Sequence, residues 1–321
     1  MRTIILFGAT VTSLILAEIC LRIVGFTPWS ERPQHPFLSP SHVVFVPDPI
    51  RGWRNRPGRY DFTRIDGKAI VNTNLSDGSR YSGKGRGRPV VFVGGSYTYG
   101  WEIDDGETFA ALVQKKLPDR SVRNFGTGGY GAYQSFLSMQ QVVGAATFVY
   151  GFGDFHQPRD VAREDWLRAM SIQSARADSR LYMPYVSLRN GNLVQHAPEP
   201  YGDWPLKRYF AFVALAEHAY FRWKLSDRDA YREQPTMEVI RAMKQEAGDR
   251  RFIVAMLMTI AQPGNRERYI KFFKSVGIEY VDCTVTFEPQ MRVDGRGHPN
   301  EDTHRYWAKC ISEAIAPSSQ K

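Results

Sequence analysis

The sequence predicts an α/β domain, a three-layer α/β/α sandwich on a mainly parallel five-stranded sheet with an inserted cap. Short apolar, β-branched runs at 89–94, 121–125, 146–152, 251–257 and 278–282 alternate with helical patterns at 106–117, 130–143, 235–248, 263–276 and 301–316. Strands separated by helices are joined by crossovers, so they run parallel and bury both sheet faces. With 321 residues, 43% of them hydrophobic, the chain can bury one large core or two modest ones.

Along the chain, residues 1–26 come first. After Met1-Arg2, residues 3 to 17 are apolar or small, and only Glu18 interrupts before Cys20, Leu21 and Arg22. That is close to the ~20 residues that cross a bilayer. Leu16-Ala-Glu-Ile-Cys-Leu-Arg22 offers no convincing small-x-small cleavage site, so the segment reads as an uncleaved anchor rather than a removed signal peptide. Arg2 and the amino terminus would stay inside, with the body outside the cytoplasm.

Residues 27–88, rich in proline, glycine and arginine, read as a lead-in of short strands and turns before the main domain at 89–321. The 42 Lys and Arg exceed the 33 Asp and Glu by 9. This excess suits anionic neighbours such as phospholipid headgroups, or is simply a solvated basic surface. No zinc-finger or base-stacking motif is present, which argues against nucleic acid. Of the three cysteines, Cys20 lies in the apolar segment; Cys283 and Cys310 sit apart, as either a bridge or buried thiols.

The first strand, Val91-Phe-Val93, stops at Gly94-Gly95 and holds up Ser96. Ligands in such sheets sit beyond the carboxyl ends of strands, so Ser96 is a candidate nucleophile, an anion-binding hydroxyl or a plain turn residue. Asn124-Phe-Gly-Thr-Gly-Gly-Tyr-Gly131 ends the second strand in glycines before a helix, where backbone N–H groups point outward and favour negative charge. Neither turn carries the dinucleotide GxGxxG or a P-loop lysine. The interval at about 156–235 breaks the alternation. It contains a hairpin signal at Asn190-Gly191 and the aromatic stretch 201–223, and it is long enough to fold as a cap. Val293-Asp-Gly-Arg-Gly-His-Pro-Asn300 then puts His298 in a turn before the last helix, the best-placed histidine to act as a base; His218 and His304 lie within helical patterns.

Val93 to Gly100 resembles the first block, GDSxTxG, of the SGNH/GDSL hydrolase superfamily; Asn124 to Gly131 resembles its second, NxGxxGYG. Asp294 to Asn300 resembles its last, an aspartate shortly before HPN. Leu16 to Gly25 and Gly52-Trp53 are similar to the membrane-anchored branch. The resemblance implies Ser96 as nucleophile, His298 as base, Asp294 as orienting acid with Asp282 as competitor, and Ser96 and Gly129 N–H groups as oxyanion donors. It implies no metal or organic cofactor.

The chain departs from the pattern at three places. Gly95 replaces the aspartate before the serine. Where the family has GxND this chain has Gly151-Phe-Gly-Asp154, so Gly153 stands where a side-chain oxyanion donor is expected, and Asp154 or His156 is left to rebuild the site. Asp294 precedes His298 by four residues rather than three. The implied function is an extracytoplasmic serine esterase or O-acyltransferase acting through an acyl-enzyme on a small-molecule, lipid or glycan ester. The rival is a noncatalytic glycan- or lipid-binding protein that keeps the fold.

Overall fold

The computed structural model describes residues 2–26, 38–39, 44–175, 181–201, 204–207, 209–229, 233–259 and 263–316. Helix α1 (Arg2–Ile23) leads. The strands β1 (Leu38–Ser39), β2 (Phe45–Asp48), β3 (Gly52–Asn55), β4 (Gly58–Arg64) and β5 (Ala69–Asn74) follow, pairing antiparallel as β1-β4-β5 and β2-β3. Next come β6 (Pro89–Gly94), α2 (Ser96–Tyr99), α3 (Phe109–Lys116), β7 (Ser121–Asn124), α4 (Ala132–Gln140) and β8 (Thr147–Phe152). A cap region holds α5 (Gln157–Asp160), α6 (Glu164–Ala175), β9 (Tyr182–Arg189), β10 (Asn192–Pro200) and α7 (Ala211–Lys224). The chain closes with α8 (Gln234–Ala247), β11 (Arg251–Met256), α9 (Pro263–Ser275), β12 (Glu279–Asp282) and α10 (Glu301–Ile315).

The central sheet is five-stranded and wholly parallel, in the order β12-β11-β8-β6-β7. From β6 the chain steps outward to β7 and then back across to β8, so the topological switch point lies at the carboxyl end of β6. Ser96 is there. The residues of β6 alternate between two cores, as a pleated strand requires. Val90 and Phe92 pack with Phe109, Val113, Trp307 and Ile311 on the α3/α10 side. Val91 and Val93 pack with Phe136, Ile240, Met243 and Phe273 on the α4/α8/α9 side. Burial on both faces explains why the strand reads as an unbroken apolar run; each such side chain contributes about 1.5–3 kcal/mol by leaving water.

The hairpin β9-β10 turns at Asn190-Gly191, both with positive φ (52° and 78°), the geometry that favours Asn-Gly in a two-residue loop. The cap has its own apolar cluster, in which Leu167, Met170, Met183, Tyr201 and Phe221 meet Trp53 of the lead-in and Tyr130 of the second glycine turn. Cys283 and Cys310 form a disulfide that ties α10 to the end of β12; Cys20 is free and exposed.

Candidate active site

Ser96 opens the short helix α2 immediately beyond Gly94 and Gly95, and its side chain is nearly buried. Asn124 fixes the backbone around it. Its Nδ2 donates to Thr98 O (2.8 Å) and its Oδ1 accepts from Gly126 N–H (2.9 Å), so the second turn is fastened to the first. Gly126 has to be glycine, because a Cβ there would stand 2.6 Å from Thr98 C. The lead-in supports the same turn from the other side: Trp53 Nε1 donates to Gly128 O (3.0 Å) and Asn55 Nδ2 to Gly126 O (3.0 Å). Neither Ser96 nor Gly129 uses its backbone N–H in a hydrogen bond among the described residues. These are the two N–H groups that the resemblance assigns to an oxyanion.

His298 Nε2 lies 3.2 Å from Ser96 Oγ. The other ring nitrogen, Nδ1, lies 2.9 Å from Glu102 Oε2, which also accepts the His298 backbone N–H at 2.8 Å. A carboxylate only accepts, so Nδ1 carries the proton and Nε2 is left with a lone pair facing the serine. Tyr97 sets its ring edge-on to the imidazole at 5.9 Å between centroids and is itself boxed by Phe155 and Trp307. Serine, imidazole and acid thus stand in one hydrogen-bonded line.

The acid in that line differs from the one expected. Asp294 does not meet His298; its carboxylate pairs with the exposed Arg296 at 2.7 Å. The reason is the shape of the loop. Val293 N–H donates to His298 O (2.9 Å) and Gly297 N–H to Val293 O (2.8 Å), and this tight closure leaves Asp294 in the turn with φ 50°. Asp282, the competitor, is engaged by Arg266 and by the Thr284 N–H. Glu102 takes the place instead. It is fully buried, with left-handed backbone (φ 67°), and its Oε1 has no partner among the described residues. Gly297 makes room, since a Cβ there would be 2.9 Å from Glu102 Oε2.

Arg80, 1% exposed, holds the segment that carries Glu102. It donates to Tyr99 O (2.9 Å) and to the carbonyls of Gly100 and Ile103, and it pairs with Asp105 at 3.1 Å. Neither Arg80 nor Glu102 stood out in the sequence. A lone acid six residues after a candidate serine is no known spacing; the one available signal was the turn chemistry of Gly100-Trp-Glu102.

Around the missing family side chains the site is filled. A Cβ on Gly153 would lie 2.6 Å from Phe155 Cζ, so the phenyl ring stands where an asparagine side chain would begin. A Cβ on Gly95 would lie 2.9 Å from His156 Nε2 and 3.1 Å from an Arg159 guanidinium nitrogen, Nη1. His156 is buried, its Nδ1 2.6 Å from Tyr150 OH and its Nε2 unpartnered among the described residues. Burial, helped by Arg159, pushes its pKa well below the usual range. Arg159 lies over the rings of Phe155 (4.6 Å) and Trp166 (4.3 Å) and donates to Tyr130 O (2.9 Å); burial pulls it down to about 10. Asp154 accepts from Asn265 Nδ2 at 3.2 Å. His218 pairs with Glu164 in the cap at 2.8 Å, and His304 is fully buried in α10.

No family model and no curated protein matches the chain. Solved structures do. The putative lipolytic protein of the G-D-S-L family from Desulfitobacterium hafniense is 13% identical, with a TM-score of 0.39 over 70% of this chain and 98% of its own. A lipolytic G-D-S-L family member from Veillonella parvula is 12% identical, with a TM-score of 0.39 over 71% of this chain and 98% of its own. A catalytic mutant of the acetylxylan esterase Axe2 from Geobacillus stearothermophilus is 14% identical, with a TM-score of 0.42 over 73% and 97%.

Proposed function

We propose that this chain is a membrane-anchored serine hydrolase or O-acyltransferase with its body outside the cytoplasm. The observation that carries the reading is the line Ser96 Oγ, His298 Nε2, His298 Nδ1, Glu102 Oε2, with gaps of 3.2 and 2.9 Å. Ser96 and Glu102, six residues apart, meet the distant His298 in the order that nucleophile, base and orienting acid require.

In the reaction Ser96 Oγ attacks an ester carbonyl as His298 Nε2 takes its proton, and Glu102 stabilises the imidazolium that forms. The N–H groups of Ser96 and Gly129, free of other partners among the described residues, receive the oxyanion. Collapse breaks the ester C–O bond, the proton passes from His298 to the departing alkoxide, and an acyl-Ser96 remains. Water or an acceptor hydroxyl, deprotonated by His298, attacks the acyl carbon and releases Ser96. The disulfide between Cys283 and Cys310 supports an oxidising compartment, and the apolar α1 supports an anchor. An envelope lipid or O-acylated glycan is the substrate class that this address favours.

One observation favours the rival, a binding protein without chemistry: Phe155 fills the side-chain donor position beside Gly153. The test is fluorophosphonate labelling of the purified full chain in detergent. The hydrolase reading expects covalent modification at Ser96, lost in Ser96→Ala and His298→Ala with the thermal midpoint nearly unchanged. Well-folded protein that takes no label, or takes it at another serine, overturns this reading in favour of the binding protein.

A further inference from the structure

Glu18 is the only acid in α1, and it sits in the last part of a 21-residue stretch apolar enough to cross a membrane. Its carboxylate is engaged by the cap. Oε1 accepts from the Ala211 N–H (3.0 Å) and Oε2 from the Phe212 N–H (3.1 Å), the first two N–H groups of α7. Arg22 reinforces the joint, with Nε on Glu18 Oε1 at 2.7 Å and Nη2 on Tyr209 O at 3.0 Å. Phe210, the residue before α7, offers no side-chain cap, so Glu18 meets the unsatisfied N–H groups and the positive end of the helix. An acid that interrupts a membrane segment is thereby explained as a lock between that segment and the cap. Residues 3–17 of α1 are exposed along their whole length.

The lock fixes where α7 must be. Glu18 is five residues from the end of α1, about 8 Å of helix, so the start of α7 is held at the depth where the membrane segment leaves the hydrocarbon. Leu215, Ala216, Ala219, Tyr220 and Trp223 form an exposed, uncharged stripe on α7 at helical spacing. Trp223 is 75% exposed and Tyr209, just before the helix, 67%. The only acid on α7, Glu217, is buried against Lys207, while Arg222 and Lys224 flank the stripe at its far end. Aromatic rings with a polar edge beside cations are the composition of a helix lying in a membrane interface.

We propose that α7 lies in the headgroup–acyl boundary of an anionic bilayer, its Leu215–Tyr220–Trp223 stripe toward the acyl chains and Arg222 and Lys224 among the phosphates. This rests on the reading of α1 as a retained span. It makes the cap part of the membrane-facing surface, held there by Glu18.

The full chain, carrying Cys20→Ser, is reconstituted into nanodiscs of phosphatidylcholine and phosphatidylglycerol. A nitroxide is attached in turn at Leu215→Cys, Trp223→Cys and Val143→Cys, the last an 86% exposed position outside the cap. Labels at 215 and 223 should collide several-fold more with oxygen than with a water-soluble nickel chelate, and the label at 143 should show the reverse. Labels at 215 and 223 as open to nickel as the one at 143, in protein that co-elutes with nanodiscs, overturn the proposal while leaving the anchor intact. Protein that elutes apart from the nanodiscs overturns both. A third arm uses Glu18→Gln: with the span intact but the lock weakened, nickel access at 223 should rise, and no change there counts against the lock.

Discussion

His298 Nδ1 is 2.9 Å from Glu102 Oε2, and the same oxygen receives the His298 backbone N–H. One carboxylate oxygen thus sets both the position of the loop and the tautomer of the ring. Glu102→Gln keeps the shape but removes the negative charge that stabilises the imidazolium and adds an NH2 donor that can hold the ring in the wrong tautomer, so turnover of p-nitrophenyl acetate should fall by up to ~10⁴ with a small change in KM. Asp294→Asn, whose partner is the exposed Arg296, should leave turnover within about twofold. The opposite ranking would remove Glu102 from the site.

The fold was legible because its signal is periodic. Five apolar runs and five helical patterns have to alternate in a parallel sheet, and the covered strand β6 left its mark in the unbroken run at Val90 to Val93. Ser96 and His298 were legible for a related reason: each sits in a glycine-bearing turn at the end of an element, where local sequence dictates local shape. Glu102 was not. Its role comes from Arg80 drawing together the carbonyls of Tyr99, Gly100 and Ile103, 19 to 23 residues away, and from the lack of a side chain at Gly297, at the far end of the chain, contacts that no local pattern records. Asp294 looked suitable by spacing alone, but the closure between Val293 and His298 turned it to the surface. The cysteine pairing was open for the same reason: 27 residues of separation carry no information about which sheet edge α10 will cover.

That pairing has a measurable consequence. Closing a loop of 27 residues restricts the unfolded chain, and the chain-entropy estimate gives about 3.5 kcal/mol. The variant Cys283→Ala with Cys310→Ala should therefore unfold in urea with about 2–4 kcal/mol less stability than the native protein. Denatured but unreduced native protein should titrate with one thiol, Cys20; three thiols would mean that the bridge does not form.

His304 gives stability a dependence on pH. Its Nδ1 accepts the Phe109 N–H at 3.0 Å, at the start of α3, and it is wholly buried. Burial lowers its pKa to about 3, Arg80 adding to the effect and Glu301 opposing it. The unfolded chain takes up this proton near pH 6.5 while the folded protein refuses it, so the contribution is present above 6.5 and is lost as pH falls toward 3. At pH 5.0 the loss amounts to about 2 kcal/mol, from 1.5 pH units at ~1.4 kcal/mol each. Asp160 acts in the opposite sense, since burial raises it to about 7 despite its bonds from Thr236 and Tyr133, and its stabilising share grows as pH falls. A comparison with His304→Gln cancels that shared term. From pH 7.5 to 5.0, native protein should lose about 2 kcal/mol more than the variant in urea unfolding; equal losses would show that His304 is protonated in the fold.

Gly153 and Phe155 decide whether the site has been weakened or rebuilt. If the position were merely vacant, Gly153→Asn would add a donor and raise the hydrolysis rate by some part of the ~10²–10³ that one oxyanion donor can supply. The position is occupied. A Cβ on Gly153 falls 2.6 Å from Phe155 Cζ, and that ring is held by Tyr97 at 4.7 Å and by the Arg159 guanidinium at 4.6 Å. Phe155 cannot retreat without disturbing Tyr97, which flanks His298. The single substitution should therefore cost about 1–3 kcal/mol of stability by overpacking and should lower turnover as well. Phe155→Ala with Gly153→Asn removes the clash and gives the new amide the space of the ring. The double variant should then be faster than Gly153→Asn alone, with a coupling energy of about 0.5–3 kcal/mol in the double-mutant cycle. Additive effects would mean that the two residues do not share the space beside Ser96, and that the oxyanion is held without reference to either.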